Sequence, residues 1–259
     1  MVEDDMKYYL DTEFLEGSQN KTFLNFKYGE TKPTIDLISI GIVSEDGREY
    51  YAVSKDFNLK EAWNRYDVKN NKKVYWIREN VLRPIFDDWV HEYLTPLDNW
   101  KFTYRNFKKL LRKYGKSTQE ISYEIRRFIY LMETHPSFIH STMDIWAEHL
   151  LTERKIEFYT YYGAYDHVVF CWLFGKMIDL PKGFPKYTKD LKQLLDEYIT
   201  NKLLPTENSN NLRKINLTFK QGLKLLKNSK NYPKQVNNHN ALYDAKWNKK
   251  LHEFIINKM

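Results

Sequence analysis

The sequence predicts an α/β fold: a mixed sheet that opens with an antiparallel meander, is flanked by helices and carries helical insertions. Three observations point there. β-favouring segments joined by an Asp-Gly turn fill the stretch from Lys7 to Ser54. Helical periodicity then takes over from Lys72 to Met132. A further apolar strand, IEFYTYY from Ile156 to Tyr162, runs through Gly163 straight into another helix, the strand-to-helix step typical of α/β chains.

KYYLD, Lys7 to Asp11, is the first strand, rich in residues that fit a pleated, half-buried surface. TIDLISIGIVSEDG, Thr34 to Gly47, is the second and ends on a hairpin dipeptide; REYYAVS, Arg48 to Ser54, returns from that turn. KKVYWIRENVLRPIFDDWVHEYL then reads as helix, broken at Pro84, because proline lacks the N–H and crowds the preceding turn. In KFTYRNFKKLLRKYGK, Phe107, Leu110, Leu111 and Tyr114 recur at helical spacing. The opposite face holds Lys108, Lys109, Arg112, Lys113 and Lys116, with no acid between Lys101 and Lys116. A third helix spans Thr118 to Met132, and residues 136–155 read as an inserted helix. Beyond the strand at Ile156, a helix starts near Tyr165, and Thr188 or Asp190 caps KDLKQLLDEYI. Thr206 to Asn211 and Lys227 to Asn238 are polar loops, and the last helix runs from Ala241 to Ile256. With no repeat or linker, residues 1–259 are expected to form one domain, with a helical insertion around 93–155.

Of the 259 residues, 42% are hydrophobic and 16% aromatic, which suits a folded core and excludes a disordered chain. The formal charge of +7 fits a polyanionic partner such as nucleic acid, and equally a solvated Lys-rich surface. A single cysteine, Cys171, excludes a disulfide framework and suits a reducing compartment. MVEDDMKYY is acidic and unlike a secretory leader, and no segment approaches the ~20 apolar residues of a membrane span. A soluble, cytoplasmic protein with no membrane partner is expected.

Chemistry concentrates at three places. In DTEFLE, Asp11 and Glu13 fall on one face of the strand, about 7 Å apart along the backbone. Two like charges so placed repel, and a hard divalent cation such as Mg²⁺ relieves that repulsion. In HNALYD, Asp244 sits in the first turn of the last helix and His239 in the loop before it; an imidazole there can take a proton from water. In YYGAYDHVVF, Asp166 opens a helix at the C-terminal end of a strand. Each acid, taken alone, also reads as a strand-end or helix-start charge facing water. Asp144, Glu148 and His149 read as surface charges, and His167 receives no role.

Together and in this order, these features resemble the DEDDh 3′–5′ exonucleases: D-x-E on the first strand, a middle Asp, then H-x-A-x-x-D, met here by His239, Ala241 and Asp244. The tyrosine subclass places Tyr four residues before the last Asp, where this chain has Asn240. DTEFLE, DLISIGIVSEDGREYYAVS, GAYDHVVF and FGKMIDLPKGFPKYTKDLKQL resemble the exoribonuclease AS branch known from mycobacteria. The likeness covers about half the chain, which is longer than typical members around 93–155 and 199–237.

The resemblance implies a ribonuclease-H-like fold and hydrolysis of RNA from single-stranded 3′ ends to nucleoside 5′-monophosphates, with a preference for 3′-terminal adenosines. It implies two Mg²⁺ ions per site, Mn²⁺ being an alternative. Asp11, Glu13 and Asp244 would hold the first ion, Asp11 would bridge to the second with Asp166 in support, and His239 would be the general base. Phe14 and Leu15, just after D-x-E, would contact the terminal nucleotide. Relatives often dimerise, so a homodimer is expected. A DNA-directed exonuclease, an oligoribonuclease, a degenerate RNA-binding nuclease and a fold-sharing endonuclease are the alternatives.

Overall fold

A computed structural model describes residues 6–23, 26–95, 100–130, 155–203 and 218–258. The head of the chain forms β1 (Met6–Gly17), a small hairpin of β2 (Asn20–Phe23) and β3 (Phe26–Glu30), then β4 (Thr34–Ser44) and β5 (Glu49–Val53). Next come α1 (Leu59–Asn64), a second hairpin of β6 (Asp67–Lys69) and β7 (Lys72–Val74), and the helices α2 (Arg83–Tyr93), α3 (Tyr104–Tyr114) and α4 (Thr118–Ile129). The second half contributes β8 (Ile156–Thr160), α5 (Ala164–Phe174), β9 (Lys189–Asp190), α6 (Leu191–Tyr198), α7 (Phe219–Lys227) and α8 (Ala241–Ile256).

The main sheet has five strands in the order β5-β4-β1-β8-β9. β1 pairs antiparallel with β4, β4 antiparallel with β5, and β8 runs parallel to both β1 and β9. Helices flank this mixed sheet, and the architecture is ribonuclease-H-like. Side-chain alternation sorts the faces. Tyr8 and Leu10 pack with Ile121, Ile125 and Ile129 of α4 and Phe170 of α5. Tyr9 turns to the other side, among Trp247, Leu251 and Ile255 of α8, the side on which Asp11 and Glu13 follow at period 2. A third cluster joins Leu15 and Ile38 to buried residues of α1, α2 and α3, including Phe86, Trp89 and Phe107.

β1 is longer than the expected Lys7–Asp11. Its ladder with β4 continues through Gly17↔Thr34, with a register shift between Glu13 and Phe14. The two acids therefore sit inside a strand. Pairing with β8, by contrast, stops at Tyr9↔Tyr159, so the backbone beyond Tyr9 is open on that edge. Asn248 of α8 uses the opening, its Nδ2 donating to the Leu10 carbonyl at 3.0 Å. The start of α8 also sits tightly on β4: a side chain at Gly41 would overlap the Ala241 carbonyl. Those two contacts fix α8 beside the acids of β1.

The helix expected from Lys72 begins later and is not broken by Pro84. Asn70 and Asn71 have φ of 51° and 58°, the two positive values a tight hairpin turn requires, and Lys72–Val74 completes that hairpin as β7. A π-helical turn over Arg78–Leu82 then leads directly into α2, with Pro84 in its first turn, where proline's missing N–H is tolerated. The third helix ends at Ile129, short of the expected Met132. The insertion at 93–155 contributes core: α3 buries Phe107, Leu110 and Leu111, as its stripe predicts. The helix expected at 136–155, with Asp144, Glu148 and His149, falls outside the described residues apart from Lys155, which precedes β8. The loop at 206–211 is likewise outside them. Among the described residues, no helix is long and apolar enough to cross a membrane.

Candidate active site

Asp11 and Glu13 project from β1 toward the first turn of α8, which carries Asp244. One carboxylate oxygen from each lies within 4.8 Å of the others. The local sequence holds Asp244 firmly. Asn240 caps α8 by accepting from the Leu242 and Tyr243 N–H groups, and its Nδ2 donates to Asp88 Oδ2 at 2.9 Å. His239, ahead of the cap, takes a positive φ of 68°. That conformation turns its backbone N–H onto Asp244 Oδ2 at 2.8 Å, while Gln235 Nε2 donates to Oδ1 at 2.5 Å. The His239 ring stands with Nδ1 3.8 Å from Glu13 Oε1 and meets Trp76 edge-on, centroids 4.7 Å apart. Its side chain is 41% exposed, so it can exchange a proton with solvent.

Asp166 stands in the first turn of α5 and is buried. Its Oδ1 accepts from the Thr12 N–H at 2.9 Å and from Thr12 Oγ1 at 2.6 Å. Thr12 is free to do this because β8 has already left the ladder. The second oxygen of Asp166 takes no part in that pair of bonds. Asp166 lies outside the close trio of carboxylates, yet its charge is felt at both Asp11 and Glu13.

Burial dominates the electrostatics. It lifts Asp11 well above the ordinary carboxylate range, helped by the charges of Asp166, Glu13 and Asp244. Burial and the charges of Asp244 and Asp166 raise Glu13 to about 8. Asp166 rises to about 6, burial outweighing the Thr12 donors. Asp244 is raised by burial against the opposing donors Gln235 and His239. Among the described residues, no Lys or Arg forms an ion pair with any of the four acids. Ionised carboxylates so crowded need a compensating charge, and a hard cation with oxygen ligands is the group this donor set fits.

Phe14 and Leu15, the two expected nucleotide contacts, part company. Leu15 is 0% exposed and packs in the core with Phe86 and Phe107, its place in the alternation of β1 turning it toward the cluster that α1, α2 and α3 build. The expectation for Leu15 is corrected. Phe14 lines a cavity of about 420 Å³ with Thr12, Glu13, Tyr66 and Trp76 and packs edge-on against Tyr165 at 5.7 Å. Sequence reading missed Trp76, which joins this cavity to His239, and Thr12, which holds Asp166. No local pattern marks Trp76 beyond an aromatic residue on a helix face. Thr12 was the unread middle of D-x-E.

A sheet of this order, with carboxylates from its central strand and last helix converging in a cleft, defines a ribonuclease-H-like protein with an acidic, cation-fitting site. No protein-family model matches the chain. Two proteins named 3′-5′ exoribonuclease, from two strains of Mycobacterium tuberculosis, are each 30% identical to it over 192 residues, covering 74% of this chain and 75% of theirs. The chain belongs to this mycobacterial exoribonuclease family.

Proposed function

We propose that the chain, acting as one DEDDh-type domain, is a divalent-cation-dependent 3′–5′ exoribonuclease that releases nucleoside 5′-monophosphates from single-stranded RNA. The observation that carries this reading is the meeting of Asp11, Glu13 and Asp244 within 4.8 Å, beside a histidine 3.8 Å from Glu13. Asp11, Glu13 and Asp244 would hold Mg²⁺ or Mn²⁺, with the Asp166 oxygen that Thr12 does not engage alongside. When bound, such ions neutralise the carboxylates and the phosphate and lower the pKa of water.

The protein's own groups supply the rest. His239 accepts the proton of the attacking water as the new P–O bond forms and the P–O3′ bond breaks; the departing 3′-oxygen takes a proton from solvent. The tie between the His239 N–H and Asp244 fixes the loop so that the ring stays beside Glu13. Thr12 keeps Asp166 from turning away. Phe14 and Trp76 offer rings to the terminal base, a contact worth about 1–3 kcal/mol; the larger face of a purine suits a 3′-terminal adenosine.

Matched 5′-labelled RNA and DNA, incubated with Mg²⁺, Mn²⁺ or chelator, test the reading. RNA shortened from its 3′ end only when metal is present is the expected result. Shortening of DNA alone would overturn the RNA assignment, and cleavage of a circular RNA would show an endonuclease. A homodimer and a cytoplasmic location belong to the proposal through the resemblance; sedimentation velocity and cell fractionation decide them.

A further inference from the structure

The helix α3 carries five cations and no acid in its 11 residues. Lys7, Lys55, Arg65, Arg83 and Lys246 each meet a carboxylate within 3.1 Å. Lys116, at the foot of α3, pairs with Glu124 at 2.6 Å and so leaves the basic face read from sequence. Arg105, Lys108, Lys109, Arg112 and Lys113 are different: among the described residues none of them has an acidic partner, and α3 contains no acid. Residues 105 and 108, 105 and 109, 108 and 112, 109 and 112, and 109 and 113 are three or four apart, so like charges face one another along the helix and destabilise it. Arg105, in the first turn, also opposes the helix dipole. Among the described residues no carboxylate offsets these costs.

Aromatic rings link this face to the catalytic cleft. Trp76 touches His239. Next to it, Tyr75 lies under the Arg78 guanidinium at 3.9 Å, and Arg78 reaches Trp63 at 5.7 Å. Trp63 meets Tyr104 edge-on at 5.7 Å, and Lys108 sits over Tyr104 at 5.9 Å. Cations and π-faces thus alternate from the general-base position to the unpaired face of α3. That alternation is the chemistry of a single-strand track, in which lysine and arginine meet phosphates and rings meet bases.

The geometry points to a path for the RNA upstream of its 3′ end, leading from Trp76 over Arg78 and Trp63 to Tyr104 and the basic face of α3. This inference rests on the exoribonuclease reading and adds a second contact surface to it. The face makes long RNA bind better than short RNA and leaves the chemical step alone.

The test uses the full chain and a triple variant, Lys108→Gln, Lys109→Gln and Arg112→Gln, with two substrates: a dinucleotide and an RNA of about 20 nucleotides, longer than usual single-strand site sizes. We expect KM for the long RNA to rise about tenfold or more while kcat/KM for the dinucleotide stays unchanged, and the salt slope for the long RNA to fall by about 2, near 0.7 for each lost phosphate contact. Anisotropy of the labelled long RNA in chelator reads the same loss without turnover. An unchanged affinity for long RNA, or equal losses on both substrates, overturns the path. If the wild type shortens neither RNA, the exoribonuclease reading fails, and anisotropy still decides the path. Should the variant not fold, equal salt slopes for the two RNAs on the wild type overturn it. Wild-type binding to anionic phospholipid vesicles with none to the RNA overturns it too.

Discussion

Glu13→Gln removes an ionisable group from the acidic cluster and keeps the shape of the side chain, so in the absence of metal it should stabilise the protein and, on the proposed mechanism, abolish activity. The magnitude follows from linkage. Glu13 is raised to about 8 from an ordinary 4.5, first by burial and then by Asp244 and Asp166. A carboxyl that holds its proton more tightly when folded costs nothing below pH 4.5, and its penalty grows as pH rises to about 8. At about pH 7.5 that penalty is three pH units at 1.36 kcal/mol each, or about 4 kcal/mol. The side chain is only 12% exposed, so solvent screens little of it. For a chain of this size about 2–4 °C accompanies each kcal/mol, and the variant should melt roughly 8–16 °C higher in chelator. Scanning calorimetry at about pH 7.5 and pH 5 measures the gap, which should nearly close at the lower pH, where the carboxyl of the unfolded chain also begins to take up its proton. Saturating Mg²⁺ should raise the melting point of the wild type and leave the variant nearly unmoved. A variant that melts at or below the wild type in chelator at the higher pH, or a gap indifferent to pH, refutes the reasoning.

Other expectations follow from single contacts. His239→Ala should lower kcat by about 10²–10⁴-fold, the usual worth of a positioned base, with Mg²⁺ still raising the melting point; wild-type turnover in a purified variant removes His239 from the chemistry. Thr12→Val deletes the 2.6 Å donor to Asp166 and should cost about 1.5–3 kcal/mol in urea melts, as expected for a hydrogen bond to a charged group, while Thr12→Ser restores it. His252 is buried, accepts from or donates to Tyr9 across 2.8 Å, and is held down to about 4 by burial first, then by Lys7 and Lys189. Its contribution is therefore complete above pH 6.5 and lost as pH falls toward 4, about 3 kcal/mol in all, and a His252→Asn chain should show a flatter stability profile across that range. Gly41→Ala drives a methyl into the Ala241 carbonyl, so it should lower stability by about 1–3 kcal/mol and weaken Mg²⁺ binding in calorimetry by displacing Asp244.

Much of the site was legible because its chemistry is written in short local patterns. D-x-E at Asp11 and Glu13 needs only the alternation of a strand, and HNALYD needs only a helix start. The last helix begins and ends where sequence placed it, at Ala241 and Ile256, since Asn240 is a strong cap. What escaped depends on partners far along the chain. The length of β1 is set by β4, and where β8 leaves it decides that the Thr12 N–H and the Leu10 carbonyl are free for Asp166 and Asn248. Leu15 lies in the core because α1, α2 and α3 close over its end of β1, and their arrival there has no local signal. The hairpin at Asn70-Asn71 did carry a signal, two residues tolerant of positive φ, but the helical pattern just beyond it was read too far back.

Several locally unfavourable features of this protein share one neighbourhood and one explanation. Asp166 and Asp244 are buried and Asp11 and Glu13 half-buried, and all four hold their protons more tightly than ordinary carboxyls. His239 and Asn237 hold positive φ beside them, a conformation that costs a non-glycine residue about 1–2 kcal/mol. A few contacts away, α3 lines up cations that repel one another. Folding alone favours none of this, and each cost has the sign that a different ligand removes: cations for the carboxylates, a polyanion for the helix. A phosphodiester substrate with its divalent ions supplies both charges at once. Its binding should therefore tighten in both directions, Mg²⁺ strengthening RNA affinity at the cleft and RNA strengthening Mg²⁺ affinity by the same factor. Equal Mg²⁺ affinities with and without a non-cleavable RNA, measured by titration calorimetry, would show that these costs are not relieved by a common ligand.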